Sequence, residues 1–197
     1  MKYELLYNKF RELADISAKE WEHLESKFSH KKFKKNEYLL EAGSEPRFMN
    51  IILSGLTRSF YIDHNGKEFN KIFFSQGDIA SAYVEMLSKQ PSRLSIQALE
   101  ETDVLQVDYQ HVQQLYDRDP AWNIIGRKIA ENFFVIKEKR EYEFLLLDAE
   151  NRYKNFLEDY KDLKSRIPQY HVASYLGITS VSLSRLINAA KKLNSKD

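Results

Sequence analysis

The chain changes texture once, at Asp119-Pro120, and that change limits the folds open to it. Before it, from about 33 to 108, run short segments rich in Ile, Phe, Tyr and Leu: NIILSG, RSFYID, KIFF, RLSIQAL and DVLQV. Such runs predict strands. Gly43, Gly55, Gly66 and Gly77 recur among them at intervals of 11 or 12 residues, and Asn65-Gly66 is a hairpin signal. After it no proline occurs between Pro120 and Pro168, and apolar residues return at helical spacing. A proline suits the first turn of a helix because the N–H it lacks has no partner there, and Asp119 is a good cap. Strands first and helices afterwards predict an α+β chain: an N-terminal antiparallel β-barrel or sandwich, a long helix, then a C-terminal helical domain. Two short helices, at 3–14 and 17–28, precede the strands; the second opens on Ser17-Ala-Lys-Glu20, the pattern of a capping box.

The long helix is expected from Pro120 to about Leu147. Trp122, Ile125, Ile129, Phe133 and Ile136 make one stripe on it, while Phe134, Val135, Phe144, Leu145 and Leu147 add apolar surface elsewhere. A helix apolar on more than one side packs on its own domain and also on a second copy of itself, which predicts a homodimer. Asp148 caps a further helix to about Leu163 that carries Tyr153, Phe156, Leu157 and Tyr160. The expected organisation is a β domain with its N-terminal helices at 1–118, a dimerisation helix at 119–147 and a further helical domain at 148–197, hinged near Asp148.

Gln169 to Asn188, QYHVASYLGITSVSLSRLIN, has the order of a helix-turn-helix. Val172, Ala173 and Leu176 form an apolar edge, Gly177 suits a turn at positive φ, Ile178 plugs the corner, and Leu183, Leu186 and Ile187 resume the apolar face. With those three turned inward, Val181, Arg185, Asn188 and Lys192 fall together on the outer side. That set matches the chemistry of the major groove. An arginine donates two bonds to guanine, an asparagine pairs an adenine edge, and a valine touches a thymine methyl. Thr179, Ser180 and Ser182 crowd the helix start, where hydroxyls and free N–H groups suit phosphates.

Net charge is only +1, but its distribution is polarised: between Leu163 and Lys196 there are six Lys and Arg and no Asp or Glu. The chain has no cysteine, which excludes disulfides, thiolate metal sites and cysteine-held iron–sulfur clusters. The N-terminus has neither the apolar run nor the cleavage site of a signal peptide, and no stretch reaches the length of a membrane span, so a cytoplasmic location is expected. No nucleophile, base and orienting group stand together, and the predicted barrel holds only His64, in a turn. The chain reads as neither an enzyme nor a metal or cofactor protein. The competing reading is a small-molecule-binding or scaffold protein whose helical tail mediates protein contacts.

A small barrel, a long helix and a basic helix-turn-helix, in that order, resemble the Crp/Fnr family of bacterial transcription regulators. The specific parts are Gly55 before a strand, Gly77-Asp78 after one, Pro91-Ser92-Arg93 leading into SIQALEETDVLQV, and the terminal RIPQYHVASYLGITSVSLSRL. The resemblance implies a cyclic-nucleotide-binding-like effector-sensing domain at 1–118, built as an antiparallel β-barrel of jelly-roll type, a homodimer along the long helix at 119–147, a winged-helix-type DNA-binding domain at 148–197, and RNA polymerase as a partner. It places Ser180, Val181 and Arg185 against bases of double-stranded DNA, and Tyr170, Thr179 and Ser182 near phosphates. It also implies an effector pocket around Ser81, Tyr83, Glu85, Arg93 and Phe133. Members that bind cyclic AMP carry a Gly-Glu pair for the ribose and an Arg-Ser pair for the phosphate; here those places read Ser81-Ala82 and Arg93-Leu94. Alanine cannot accept a bond from a ribose hydroxyl, so a small effector other than cyclic AMP is expected. The segment from Leu163 to Pro168 is too short for the hairpin that precedes the helix-turn-helix in some members, so a reduced wing is expected.

Overall fold

Eight strands form in the β half of the chain: β1 (Ser29–Phe33), β2 (Tyr38–Leu40), β3 (Phe48–Ser54), β4 (Thr57–Ile62), β5 (Glu68–Phe74), β6 (Ile79–Ala80), β7 (Ser95–Ala98) and β8 (Thr102–Asp108). In this computed structural model, which describes residues 3–194 and their side chains as far as 189, they make two four-stranded sheets. Their orders are β1-β8-β3-β6 and β2-β7-β4-β5, the double-sheet pattern of a jelly roll. The two sheets are not closed into a single barrel.

Side-chain alternation divides β3 and β8 into two faces. The register pairs Met49 with Val107 and Ile51 with Leu105, and these four residues join one hydrophobic cluster. The intervening pair, Asn50 and Gln106, points the other way, and Gln106 Nε2 donates to Asn50 Oδ1 at 2.8 Å. The cluster is completed by a layer of helices: α1 (Glu4–Leu13), α2 (Ala18–Glu25), α4 (Tyr109–Tyr116) and the first part of α5 (Pro120–Leu146); a short α3 (Tyr83–Ser88) follows β6. Trp21, which is fully buried, sits among the rings of Tyr7, Phe10 and Phe28.

The expected capping box forms only in part. Ser17 Oγ accepts from Glu20 N at 3.2 Å, but the Glu20 carboxylate is taken by the Arg118 guanidinium and by Trp122 Nε1. The hydrogen bond from Arg118 holds the Glu20 carboxyl below its usual range. Helix α2 also stops at Glu25, so Phe28 reaches the core from the turn after it rather than from the helix.

The α half begins as expected, with α5 at Pro120 and an Asp119 carboxylate accepting from Ala121 N at 2.8 Å. It continues with α6 (Ala149–Asp159), capped by Asp148 accepting from Asn151 N, then α7 (Gln169–Leu176) and α8 (Ser180–Asn194). Residues 160–168 form turns, and the described residues from 148 onward contain no strand. By internal contacts the chain divides into two units, Met1–Ser59 with Phe73–Val135, and Phe60–Ile72 with Ile136–Asp197. Helix α5 contributes to both, and the tip of the β4–β5 hairpin belongs to the unit that holds α6 to α8. Among the described residues no helix is long and apolar enough to cross a membrane.

Candidate nucleic-acid interface

The second unit is built around the turn between α7 and α8. Gly177 adopts φ +69° at the end of α7, the left-handed conformation that a non-glycine residue reaches only with strain. A Cβ there would lie 2.9 Å from Cε1 of Phe144. Val172, Ala173 and Leu176 of α7 are buried, and Leu183 of α8 meets them at 1 % exposure. The apolar edge predicted for the motif is therefore its packed face.

Two arginines hold this frame from below. The Arg140 guanidinium lies 3.8 Å from the centre of the Tyr175 ring and donates to the carbonyls of Tyr175 and Asn70. Arg152 donates to Leu176 O and Leu147 O and covers the Phe144 ring. The last carbonyls of a helix have no partners within it and carry the negative end of its dipole, so cationic donors suit them. Between α6 and α7, Phe156 of α6 makes ring contacts with Tyr160 and with Tyr175 of α7.

The hairpin tip is the third support. Asn70, 2 % exposed, aims its amide at His171 Nδ1 (3.2 Å) and His171 O (3.1 Å), while its backbone N–H donates to Ser174 Oγ, whose hydroxyl donates to Glu68 O. His171 is thus a buried structural residue of α7. Removing the Asn70 amide strips a buried histidine of these partners. Asn70→Ala is expected to lower stability by about 1–3 kcal/mol, measured by urea unfolding, with Asn70→Asp at least as costly.

On this frame the outer side of α8 is open. Ser180, Ser182, Arg185 and Asn188 are exposed, as is Val181 at 62 %, and Tyr170 of α7 stands out beside them in sequence at 60 %. Leu186 and Ile187 are half-buried at the margin. Thr179 caps α8: its Oγ1 accepts from Ser182 N at 3.1 Å and lies 3.0 Å from Ser182 Oγ. These two hydroxyls lean on one another at the helix start, and Ser180 is exposed beside them. The side chain of Lys192 lies outside the described residues.

The five residues expected to line an effector pocket fall into separate settings in the first unit. Tyr83 stacks on Phe133 with ring centres 6.3 Å apart and meets Tyr109 edge-on, within the helical layer. Glu85 is 3 % exposed and receives Arg93 Nε at 2.9 Å, so the carboxylate is engaged by that guanidinium. Ser81 Oγ is buried without a hydrogen-bond partner among the described residues, as are Thr57 Oγ1 and Ser59 Oγ, which share one face of β4. The hydroxyls of Thr57 and Ser59 carry no motif, and neither do the supports Asn70, Arg140 and Arg152. Asn70 meets His171 across 101 positions of chain, which no local pattern records.

Comparison with known proteins places these features. Residues 30–119 match the cyclic nucleotide-binding domain family. The fumarate and nitrate reduction regulatory protein of Vibrio cholerae is 25% identical over 193 residues, 90% of this chain and 75% of that protein. The anaerobic regulatory protein of Aggregatibacter actinomycetemcomitans is 25% identical over 192 residues, 90% and 73% of the two chains. Among solved structures, FixK2 of Bradyrhizobium japonicum superposes with a TM-score of 0.68 at 20% identity, covering 85% of this chain and 86% of its own.

Proposed function

We propose that this chain, a member of the Crp/Fnr family of transcription regulators, binds a palindromic operator in double-stranded DNA as a homodimer. The observation that carries the reading is the outer side of α8, where Val181, Arg185 and Asn188 stand exposed above the buried Leu183. Arg185 reads a guanine edge, Asn188 an adenine edge and Val181 a thymine methyl. Ser180 stands against the bases beside them, Lys192 shares their side of the helix, and Tyr170, Thr179 and Ser182 add phosphate contacts that fix the register.

Dimerisation runs along α5. At about 100° per residue Ile124, Val135 and Tyr142 fall within about 20° of one another, and each is substantially exposed. Trp122 and Ile125, on a different side, are buried in the first unit. Two copies joined on that stripe set two recognition helices one duplex turn apart, about 34 Å. Residues 1–118 then sense, 119–147 dimerise and 148–197 read DNA in the cytoplasm, with RNA polymerase as the downstream partner. The effector, a small molecule other than cyclic AMP, shifts an existing equilibrium about the hinge near Asp148. Support for that choice comes from Ala82 standing where a carboxylate is needed and from Glu85 being held by Arg93.

The test is selection of bound sequences from a random duplex pool at physiological salt, followed by Arg185→Ala. A palindrome should be enriched, and Arg185→Ala should weaken binding to it by about 1–3 kcal/mol and relax preference at one base of each half-site. Melting of the variant should match the parent, because Arg185 is exposed. An unchanged base preference would remove Arg185 from the reading face. Affinity should also fall steeply with salt, in proportion to the phosphates neutralised; a flat response would favour a protein partner for the helical tail.

A further inference from the structure

The hydrophobic cluster under the helical layer is not filled. A partly open cavity lies between the outer face of the β3–β8 sheet and the helices, with about 50 Å³ open to the centre of a water-sized sphere. One water needs about 10–15 Å³ on that measure, so the space exceeds a packing defect in an interior that is otherwise close-packed. Met49, Ile51 and Val107 form its floor, and Ile125, Gly126 and Ile129 of α5 its roof. Among the described residues no Asp, Glu, Lys, Arg or His lines it.

Polarity enters at one place only. Tyr83 and Tyr116 line the cavity, and Tyr83 meets Tyr109 edge-on. Gly126 gives the Tyr116 hydroxyl its room, since a Cβ at 126 would stand 2.6 Å from that oxygen. Burial, with the neighbouring Tyr83 and Tyr116 hydroxyls, pushes the Tyr109 phenol up to about 12, and burial also raises Tyr116. Both hydroxyls therefore stay protonated at neutral pH and act as uncharged hydrogen-bonding groups.

We propose that this cavity is a binding site for a compact, uncharged, largely apolar molecule with a single hydrogen-bonding group, such as a monocyclic phenol. Rings and methyl groups bury the apolar body, and the Tyr116 hydroxyl meets the polar end. An ion is rejected because no charge waits to replace its hydration. The site is separate from the buried hydroxyls of Thr57, Ser59 and Ser81. Four of its lining residues, Trp122, Ile125, Gly126 and Ile129, belong to α5, so its occupant bears on the helix proposed to join two copies. That use as an effector site rests on the regulatory reading above. Binding itself is tested on the full chain without DNA, so either idea can fail while the other stands.

Phenol, benzene and benzoate are titrated into the protein, followed by methyl NMR of its isoleucines and by melting. Phenol and benzene should give saturable shifts confined to Ile51, Ile79, Ile125 and Ile129 and a concentration-dependent rise in Tm, and benzoate none. Tyr116→Phe should weaken phenol by about tenfold while leaving benzene unchanged. Val112→Phe, or Ile129→Phe should the first not fold, should fill the space and abolish both responses while the protein still melts cooperatively. Shifts that never saturate, shifts spread over the whole protein, equal binding of benzoate, or binding that survives in the filled variant would each overturn the proposal.

Discussion

Replacing Val135 and Tyr142 together by glutamate is expected to convert the proposed dimer into a monomer and to lower operator affinity by about 10²–10⁴-fold, the avidity of a two-site reader. Both side chains lie on the exposed stripe of α5, at 62 % and 57 % exposure, so neither is needed for the fold of one copy. In a seam between two copies they meet their own counterparts. Four carboxylates would then have to leave water with no cation to pair them, which association cannot repay. The measurement is sedimentation of both proteins, with titration of each onto the selected palindrome and onto its isolated half-site. The variant should bind the half-site as the parent does, and its melting midpoint extrapolated to low concentration should match. A variant that still sediments as a dimer would place the interface elsewhere.

Gly55→Ala should cost about 4 kcal/mol, the largest stability effect expected from removing or adding one methyl group in this chain. Gly55 turns the chain between β3 and β4 at φ +100°, which is outside the range of an L-residue without strain of about 1–3 kcal/mol. A Cβ there would also lie 2.6 Å from Glu101 O and 2.7 Å from Thr102 Cα. Those are backbone atoms at the start of β8, a strand paired with both β1 and β3, so they cannot retreat as a side chain could. Overpacking of this kind adds about 1–3 kcal/mol. For a protein of this length each kcal/mol is about 2–4 °C, so Tm should fall by roughly 10 °C, with a matching drop in urea midpoint. A loss below about 1 kcal/mol would show that β8 yields locally and that the contact is soft.

Much of the architecture was legible residue by residue. The five apolar runs became β3, β4, β5, β7 and β8, and the proline at 120 opened α5. The elements that were not legible are those whose reasons lie outside their own sequence. Strand β1, SHKKF, is polar and exposed at four of its five positions, so it has no apolar alternation, and its strand geometry comes from pairing with β8. Strands β2 and β6, of three and two residues, are likewise products of their neighbours. Helices α3 and α4 are too short to show a helical period. Glu20 illustrates the same point for a side chain: its place in the sequence suits a capping box, but Arg118 and Trp122, about 100 residues away, outbid the backbone for the carboxylate.

At the proposed reading face the division is sharper. From its own residues the chain determined that α7 and α8 turn at Gly177, that Leu183 faces inward and that Arg185 and Asn188 face outward, because helical periodicity and the glycine's freedom at positive φ are local properties. What tertiary structure decided is what the pair stands on. Asn70 from the β4–β5 hairpin, Arg140 from α5 and Arg152 from α6 satisfy buried or chain-terminal polar groups of α7. It also decided that Glu85 and Arg93 answer one another, and that the helical layer closes over a cavity rather than a filled core. Periodicity assigns a side chain to a face, but hydrogen-bond satisfaction and packing volume depend on groups that meet only after the chain has folded.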